Sequence, residues 1–209
     1  ITREDVLAAG AMANMLMELT GRIEFNDEAL IAVAAWRAAA DSPLEQLLAE
    51  PTFVSPLRRH DCPPITDGAS AMIIASADVA ARYCKRPAWV RGIDHRMETG
   101  IIGARDLTRS PSTRIAGEKS GVARGRVDLA ELHAPFSHQE IILRREPGLA
   151  ASVPVNLSGG ALAGNTMMAA GLDRIGYVAA QIMDGKADRG VAHATSGPCL
   201  QQNLVAVLE

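Results

Sequence analysis

From about residue 55 onward, strand and helix signals alternate along the chain, and this alternation constrains the fold more than any other feature. β-Prone segments run from Ser70 to Ser76, Ala88 to Asp94, Arg126 to His133, Arg189 to Thr195 and Asn203 to Glu209. Apolar residues at helical spacing predict helices over Ala77 to Cys84, Ser112 to Gly121, Ser137 to Arg145 and Ala169 to Gly185. The order is βαβαβαββ, which implies an α/β fold, a mixed five-stranded sheet with helices on both faces. Only Ser196 to Gln202 join the last two strands. That is too short for a helical crossover, so these strands are expected to pair antiparallel.

Residues 1–54 are different in kind and are expected to form a helical segment leading into a domain over 55–209. Thr2 is placed to cap a helix with Glu4 and Asp5 in its first turn and Val6, Leu7, Met12, Met15, Leu16 and Leu19 on one face, ending near Gly21. Asn26 and Asp27 open a second helix through Trp36, and Ser42-Pro43 a third through Leu48 that Pro51 closes. The joint lies between Pro51 and Pro64.

Composition excludes several classes of function. The 209 residues carry 21 Lys/Arg and 24 Asp/Glu, a net charge of −3, which argues against neutralising a nucleic-acid backbone as the main task. Aromatic residues make up 3% of the chain, too few for a platform that stacks bases or sugars. Cys62, Cys84 and Cys199 are odd in number and show no C-x-x-C or Cys/His spacing, so neither a disulfide framework nor a metal site is expected. The longest apolar run, around Met72 to Ala77, falls short of the roughly 18 residues needed to cross a bilayer. No basic-then-apolar export pattern opens the chain, and a cytoplasmic location is expected. The first residue is Ile1 rather than Met, which fits a part of a longer chain.

Four short stretches carry a resemblance. They are Asp61-Cys62-Pro63-Pro64-Ile65-Thr66-Asp67-Gly68-Ala69-Ser70-Ala71, Val127 to Phe136 (V-D-L-A-E-L-H-A-P-F), Val155 to Thr166 (V-N-L-S-G-G-A-L-A-G-N-T) and Ala194 to Asn203 (A-T-S-G-P-C-L-Q-Q-N). In this order they resemble the D-G-A-A-A entry, the E-x-H-D-x-F or N-E-A-F loop, the S-G-G-x-x-x-G-H-P loop and the final hairpin of the C-terminal half of the thiolase superfamily. The likeness is strongest to lipid-transfer-protein (SCP-x-type) thiolases and thiolase-like steroid side-chain aldolases, and it spans residues 55 to 209.

The resemblance implies chemistry with a CoA thioester as substrate and no tightly bound cofactor. Carbon–carbon cleavage beside a thioester needs donors for the enolate oxygen and a base for the other fragment. By resemblance His133 takes the place of the family's enolate-binding Asn or His, with Phe136 in the same loop. Ser158, Gly159 and Gly160 fall beside the pantetheine, their glycines allowing close backbone approach. His60, His95, His138 and His193 lack that context and read as structural, His138 least firmly. The run Arg105, Arg109, Arg114, Lys119, Arg124 and Arg126 fits a solvated helix face better than a contact to CoA phosphates.

The chain departs from the family at two places. Asn165 stands where a thiolase has the His of G-H-P, and a neutral amide cannot take a proton near pH 7. The acid/base Cys of the hairpin falls about on Gly197, leaving Cys199 two positions late, either as a shifted thiol or as a buried structural cysteine. These departures favour a retro-aldol lyase on a bulky lipid- or steroid-derived CoA thioester over an acyl-CoA acetyltransferase. A non-catalytic partner subunit is a third reading. The resemblance also implies an oligomer: a homodimer, or a hetero-complex with a first-half thiolase subunit or an OB-fold accessory protein, because the nucleophilic Cys of the family's first half has no match here.

Overall fold

The computed structural model describes residues 51–209, and the helices expected within residues 1–50 lie outside them. The chain divides into two compact units, Ile1–His60 and Asp61–Glu209. In the first, β1 (Thr52–Val54) and β2 (Leu57–Arg58) pair antiparallel, with Thr52 opposite Arg58.

The second unit holds, in chain order, α1 (Ala77–Tyr83), β3 (Val90–Met97), α2 (Pro111–Ser120), β4 (Leu129–Leu132), α3 (Ser137–Arg145), α4 (Gly160–Ala163), α5 (Ala170–Met183), β5 (Gly190–Ser196) and β6 (Gln202–Leu208). The sheet order is β3-β6-β5-β4. β4 and β5 run parallel, with Leu132 opposite His193, while β6 is antiparallel to both β5 and β3. The antiparallel closing pair expected from the short Ser196 to Gln202 connection is therefore present, and the helices lie close to their expected limits.

One expected strand is not formed. Residues Ser70 to Ser76 carry no regular secondary structure and lie outside any sheet, with Ile73 95% and Ile74 84% exposed, and the sheet has four strands rather than five. β-Propensity reports how well a residue fits a pleated, half-buried surface, and it makes a strand only where a neighbouring strand pairs with it. The edge strands here are β3 and β4, and the segment pairs with neither. The outer edge of β4 is met by Val155, where Ala130 N–H donates to the Pro154 carbonyl at 3.0 Å and Asn156 N–H to the Ala130 carbonyl at 2.9 Å.

The period of two along the strands sorts the core into two layers. Ala130, Leu132, Val191, Val205 and Val207 face Ala116 and Val122, in and just after α2, and Leu143 of α3. Leu129, Ala192, Ala206 and Leu208 face Val178 and Ile182 of α5. Each fully buried Val or Leu contributes about 1.5–3 kcal/mol, so the sheet with its helices on both faces is the stabilising centre of the unit. Gly92 is required for this packing. A Cβ there would lie 2.1 Å from the Ser120 carbonyl oxygen at the end of α2.

Candidate active site

The C-terminal ends of β4 and β5, together with the loops after β4 and before α5, bring together most of the polar residues singled out in the sequence. His133 follows β4 directly and is 6% exposed. The backbone N–H of Thr195, on β5, donates to His133 Nδ1 at 3.3 Å. That occupies the Nδ1 lone pair, so in the neutral ring the proton sits on Nε2 and makes it a donor. Nε2 is buried and has no hydrogen-bond partner among the described residues. Burial pushes the His133 imidazolium below its ordinary pKa, against support from the neighbouring Asn165 amide, and Arg174 adds to the downward shift.

Asn165 is 8% exposed and stands in a short parallel bridge with Ile65, where Thr66 N–H donates to the Asn165 carbonyl at 3.2 Å. Its side-chain Oδ1 is likewise buried without a partner among the described residues. The unspent capacity is thus one donor, the neutral His133 Nε2–H, and one acceptor, Asn165 Oδ1, on side chains that bear on each other, in a setting where such capacity is usually satisfied.

The glycine loop is anchored from below by Glu131, which is fully buried on β4. Ser158 Oγ donates to one Glu131 carboxylate oxygen at 2.6 Å, and Ser158 N–H donates to the other at 3.0 Å. Arg174, 6% exposed on α5, places Nη1 3.7 Å from the same carboxylate. Asn156 Oδ1 accepts from Leu132 N–H at 2.7 Å, and its Nδ2 donates to Glu140 at 2.7 Å. Gly159 turns the chain into α4 with φ +91, a conformation its missing Cβ permits. Ser158, Gly159 and Gly160 are thereby held against the strand that delivers His133.

Asp173, at the start of α5, completes this end. Burial opposes its charge, but donation from the hydroxyls of Ser70 and of Thr166, the latter at 2.6 Å, holds its carboxyl below the ordinary range, with Arg174 and His133 nearby. Sequence reasoning missed Asp173, Thr166 and Arg174. Their one signal was position, since all follow the Gly164-Asn165 step within ten residues.

Gly197 and Cys199 lie in the turn between β5 and β6, and no hydrogen bond among the described residues joins the Cys199 side chain to His133 or Asn165. Cys199 is exposed, which corrects the buried-cysteine reading; it occupies a left-handed turn position at φ 54 whose side chain projects outward. Phe136 is half-buried at the start of α3, its ring 6.0 Å from that of the exposed His138. His193 is fully buried and donates Nε2–H to Asn203 Oδ1 at 2.9 Å. Four arginines of the basic run are engaged with carboxylates: Arg105 with Glu98, Arg109 with Glu146, Arg114 with Glu118 and Arg126 with Asp128. Arg105 does not belong to a solvated face, because its side chain is 3% exposed. Among the described residues no cluster of three His, Cys, Asp or Glu side chains is arranged to hold a metal, and no helix is long and apolar enough to cross a membrane.

Comparison with known proteins places the fold. No protein-family model matches the chain. It is 30% identical over 177 residues to an acetyl-CoA acetyltransferase of Methanothermobacter thermautotrophicus, covering 74% of this chain and 46% of that protein. It is 32% identical over 153 residues to a 3-ketoacyl-CoA thiolase of Aeromonas salmonicida, covering 69% and 38%. The crystal structure of human mitochondrial 3-ketoacyl-CoA thiolase superposes with a TM-score of 0.64 at 23% identity, over 79% of this chain and 42% of that one. The chain thus spans less than half the length of these relatives. It belongs to the thiolase superfamily and corresponds to the C-terminal half of the thiolase fold.

Proposed function

We propose that this chain is the half of an acyl-CoA carbon–carbon bond enzyme that stabilises the enolate, with His133 Nε2–H and the Asn165 side-chain amide as the two donors to the thioester oxygen. The observation that carries the reading is the donor-ready His133: Nδ1 is taken by Thr195, burial keeps the ring neutral, and Nε2 is unpartnered. Preset donors of this kind act where charge develops in the transition state. Ser158, Gly159, Gly160, Gly197 and Phe136 would line the path of the CoA thioester.

Two reactions use such an enolate. In acyl transfer, a thiolate from outside these residues carries the acyl group, and free CoA releases the products; the names of the relatives favour this route. In a retro-aldol, a base removes the β-hydroxyl proton and the Cα–Cβ bond breaks. Its electrons form the enolate, and an aldehyde or ketone leaves. Asn165 favours the second route, because it can donate to an oxygen but cannot relay a proton. Asp173, held ionised by the Ser70 and Thr166 hydroxyls, is too weak a base for that proton and serves this reading as a fixed negative charge near His133. The substrate class proposed is a bulky lipid- or steroid-derived thioester.

The exposed Ile73 and Ile74 support a partner polypeptide: a second copy, a first-half thiolase subunit or an OB-fold accessory protein. A reducing, cytoplasmic setting suits the three free cysteines.

The test is an assay of this chain, alone and with co-purifying proteins, against 3-ketoacyl-CoA and 3-hydroxyacyl-CoA panels. Cleavage that requires free CoA identifies acyl transfer, and carbonyl release without CoA identifies the lyase. Neither activity in any assembly leaves the non-catalytic partner reading.

A further inference from the structure

The turn between β5 and β6 contains three left-handed residues, Gly197 at φ 74, Cys199 at 54 and Leu200 at 57. For Cys199 and Leu200 this conformation is unfavourable by roughly 1–2 kcal/mol each, so something outside the turn must hold it. Arg105 comes from a connection almost a hundred residues earlier and does so. Its Nη1 donates to the Pro198 carbonyl at 3.2 Å, and its Nη2 to the Cys199 carbonyl at 2.6 Å and the Leu200 carbonyl at 3.3 Å. Its Nε donates to Glu98 at 3.3 Å.

A guanidinium that is 3% exposed would be costly to bury without such partners. Glu98 is fixed in turn, since its other oxygen accepts from Ser112 N–H at 3.2 Å and Ser112 Oγ at 2.5 Å at the start of α2. Ser112 Oγ also accepts from buried Asn203 at 2.7 Å, and Asn203 reaches the Leu200 carbonyl at 2.8 Å. The turn is therefore held from two sides by one continuous polar network.

We infer that Arg105 is a positioning residue whose planar fork sets the backbone of the 197–200 turn and so fixes where Gly197 and Cys199 stand beyond the end of β5 that Thr195 ties to His133. The relevance to catalysis rests on the acyl-CoA reading above; the clamp itself does not. Lysine cannot replace it, because one ammonium that pairs with Glu98 cannot also serve three carbonyls.

The experiment measures amide hydrogen exchange across the chain and the iodoacetamide alkylation rate of Cys199 in wild type, Arg105→Ala, Arg105→Lys and Ile182→Val, the last loosening the opposite face of the sheet. Arg105→Ala should speed exchange at residues 199–201 by about tenfold or more and change Cys199 alkylation by about threefold or more, leaving β4 amides within about twofold. Arg105→Lys should behave like the alanine variant, and Ile182→Val should leave the turn as in wild type. If Arg105→Ala does not fold, Arg105→Lys against wild type decides alone. A lysine variant indistinguishable from wild type, or acceleration spread evenly over the sheet, would overturn the inference. Acetyl-CoA is added in a parallel arm: if it fails to slow Cys199 alkylation in wild type, the acyl-CoA reading loses support while the clamp result stands.

Discussion

The backbone N–H of Thr195 donates to Nδ1 of His133 across the parallel β4/β5 pair, at 3.3 Å. A main-chain amide cannot become an acceptor, so this contact selects one tautomer of the ring and excludes the imidazolium for as long as it persists. Nitrogen-15 NMR of histidine-labelled protein should show His133 as the neutral Nε2–H form at pH 7. Its protonation should begin below the ordinary histidine range, as the downward shift from burial requires. Signals of an Nδ1–H ring would remove the proposed enolate donor.

His193 gives the fold a defined acid sensitivity. Complete burial, opposed by the Asn203 hydrogen bond, lowers its pKa to about 4. Because the folded value lies below the unfolded one near 6.5, the unfolded chain takes up the proton first as pH falls. Stability is therefore full above about pH 6.5 and declines down to about pH 4, by about 3 kcal/mol for this group. Urea unfolding at stepped pH should show that slope, and His193→Gln should flatten it. An unchanged slope in the variant would assign the acid loss to other groups.

Glu131 and Arg174 test the anchor of the glycine loop. Removing the carboxylate leaves Arg174 buried and Ser158 without its acceptor, so Glu131→Ala should cost about 3–5 kcal/mol. Glu131→Gln keeps one acceptor oxygen and should cost clearly less. Equal losses in the two variants would mean that shape, not charge, holds the loop.

In an assembly that cleaves acyl-CoA, His133→Ala should lower kcat by about a hundredfold or more with little change in Tm, as for loss of one oxyanion donor. Cys199→Ser should keep most lyase activity, because Cys199 is an exposed turn residue with no hydrogen bond to His133. Intact-mass spectra after acyl-CoA incubation supply the counter-test. A covalent acyl group on Cys199 that free CoA removes would show a nucleophile within this chain and exclude the retro-aldol reading.

The elements that bury a face were legible in the sequence because their periodicity is written by the core. Val178 and Ile182 mark α5, and Leu143 marks α3. Ser70 to Ser76 misled for the same reason in reverse: apolar composition announces a need for cover, but not whether a strand or another surface supplies it. At the site, His133 stood out through its loop. Thr195, which sets its tautomer, acts through a backbone amide that every non-proline residue carries, so no side-chain pattern could reveal it. Arg105 was hidden by distance, since the carbonyls it binds lie more than ninety residues away.

The open main chain around Ile73 and Ile74 has a practical consequence. Flat, uncharged, strand-forming segments recruit one another edge to edge. Solubility, rather than the midpoint of unfolding, should therefore limit this polypeptide in a test tube, and its yield should rise with dilution, or with a lysine placed at Ile73, long before any change that strengthens the core has an effect.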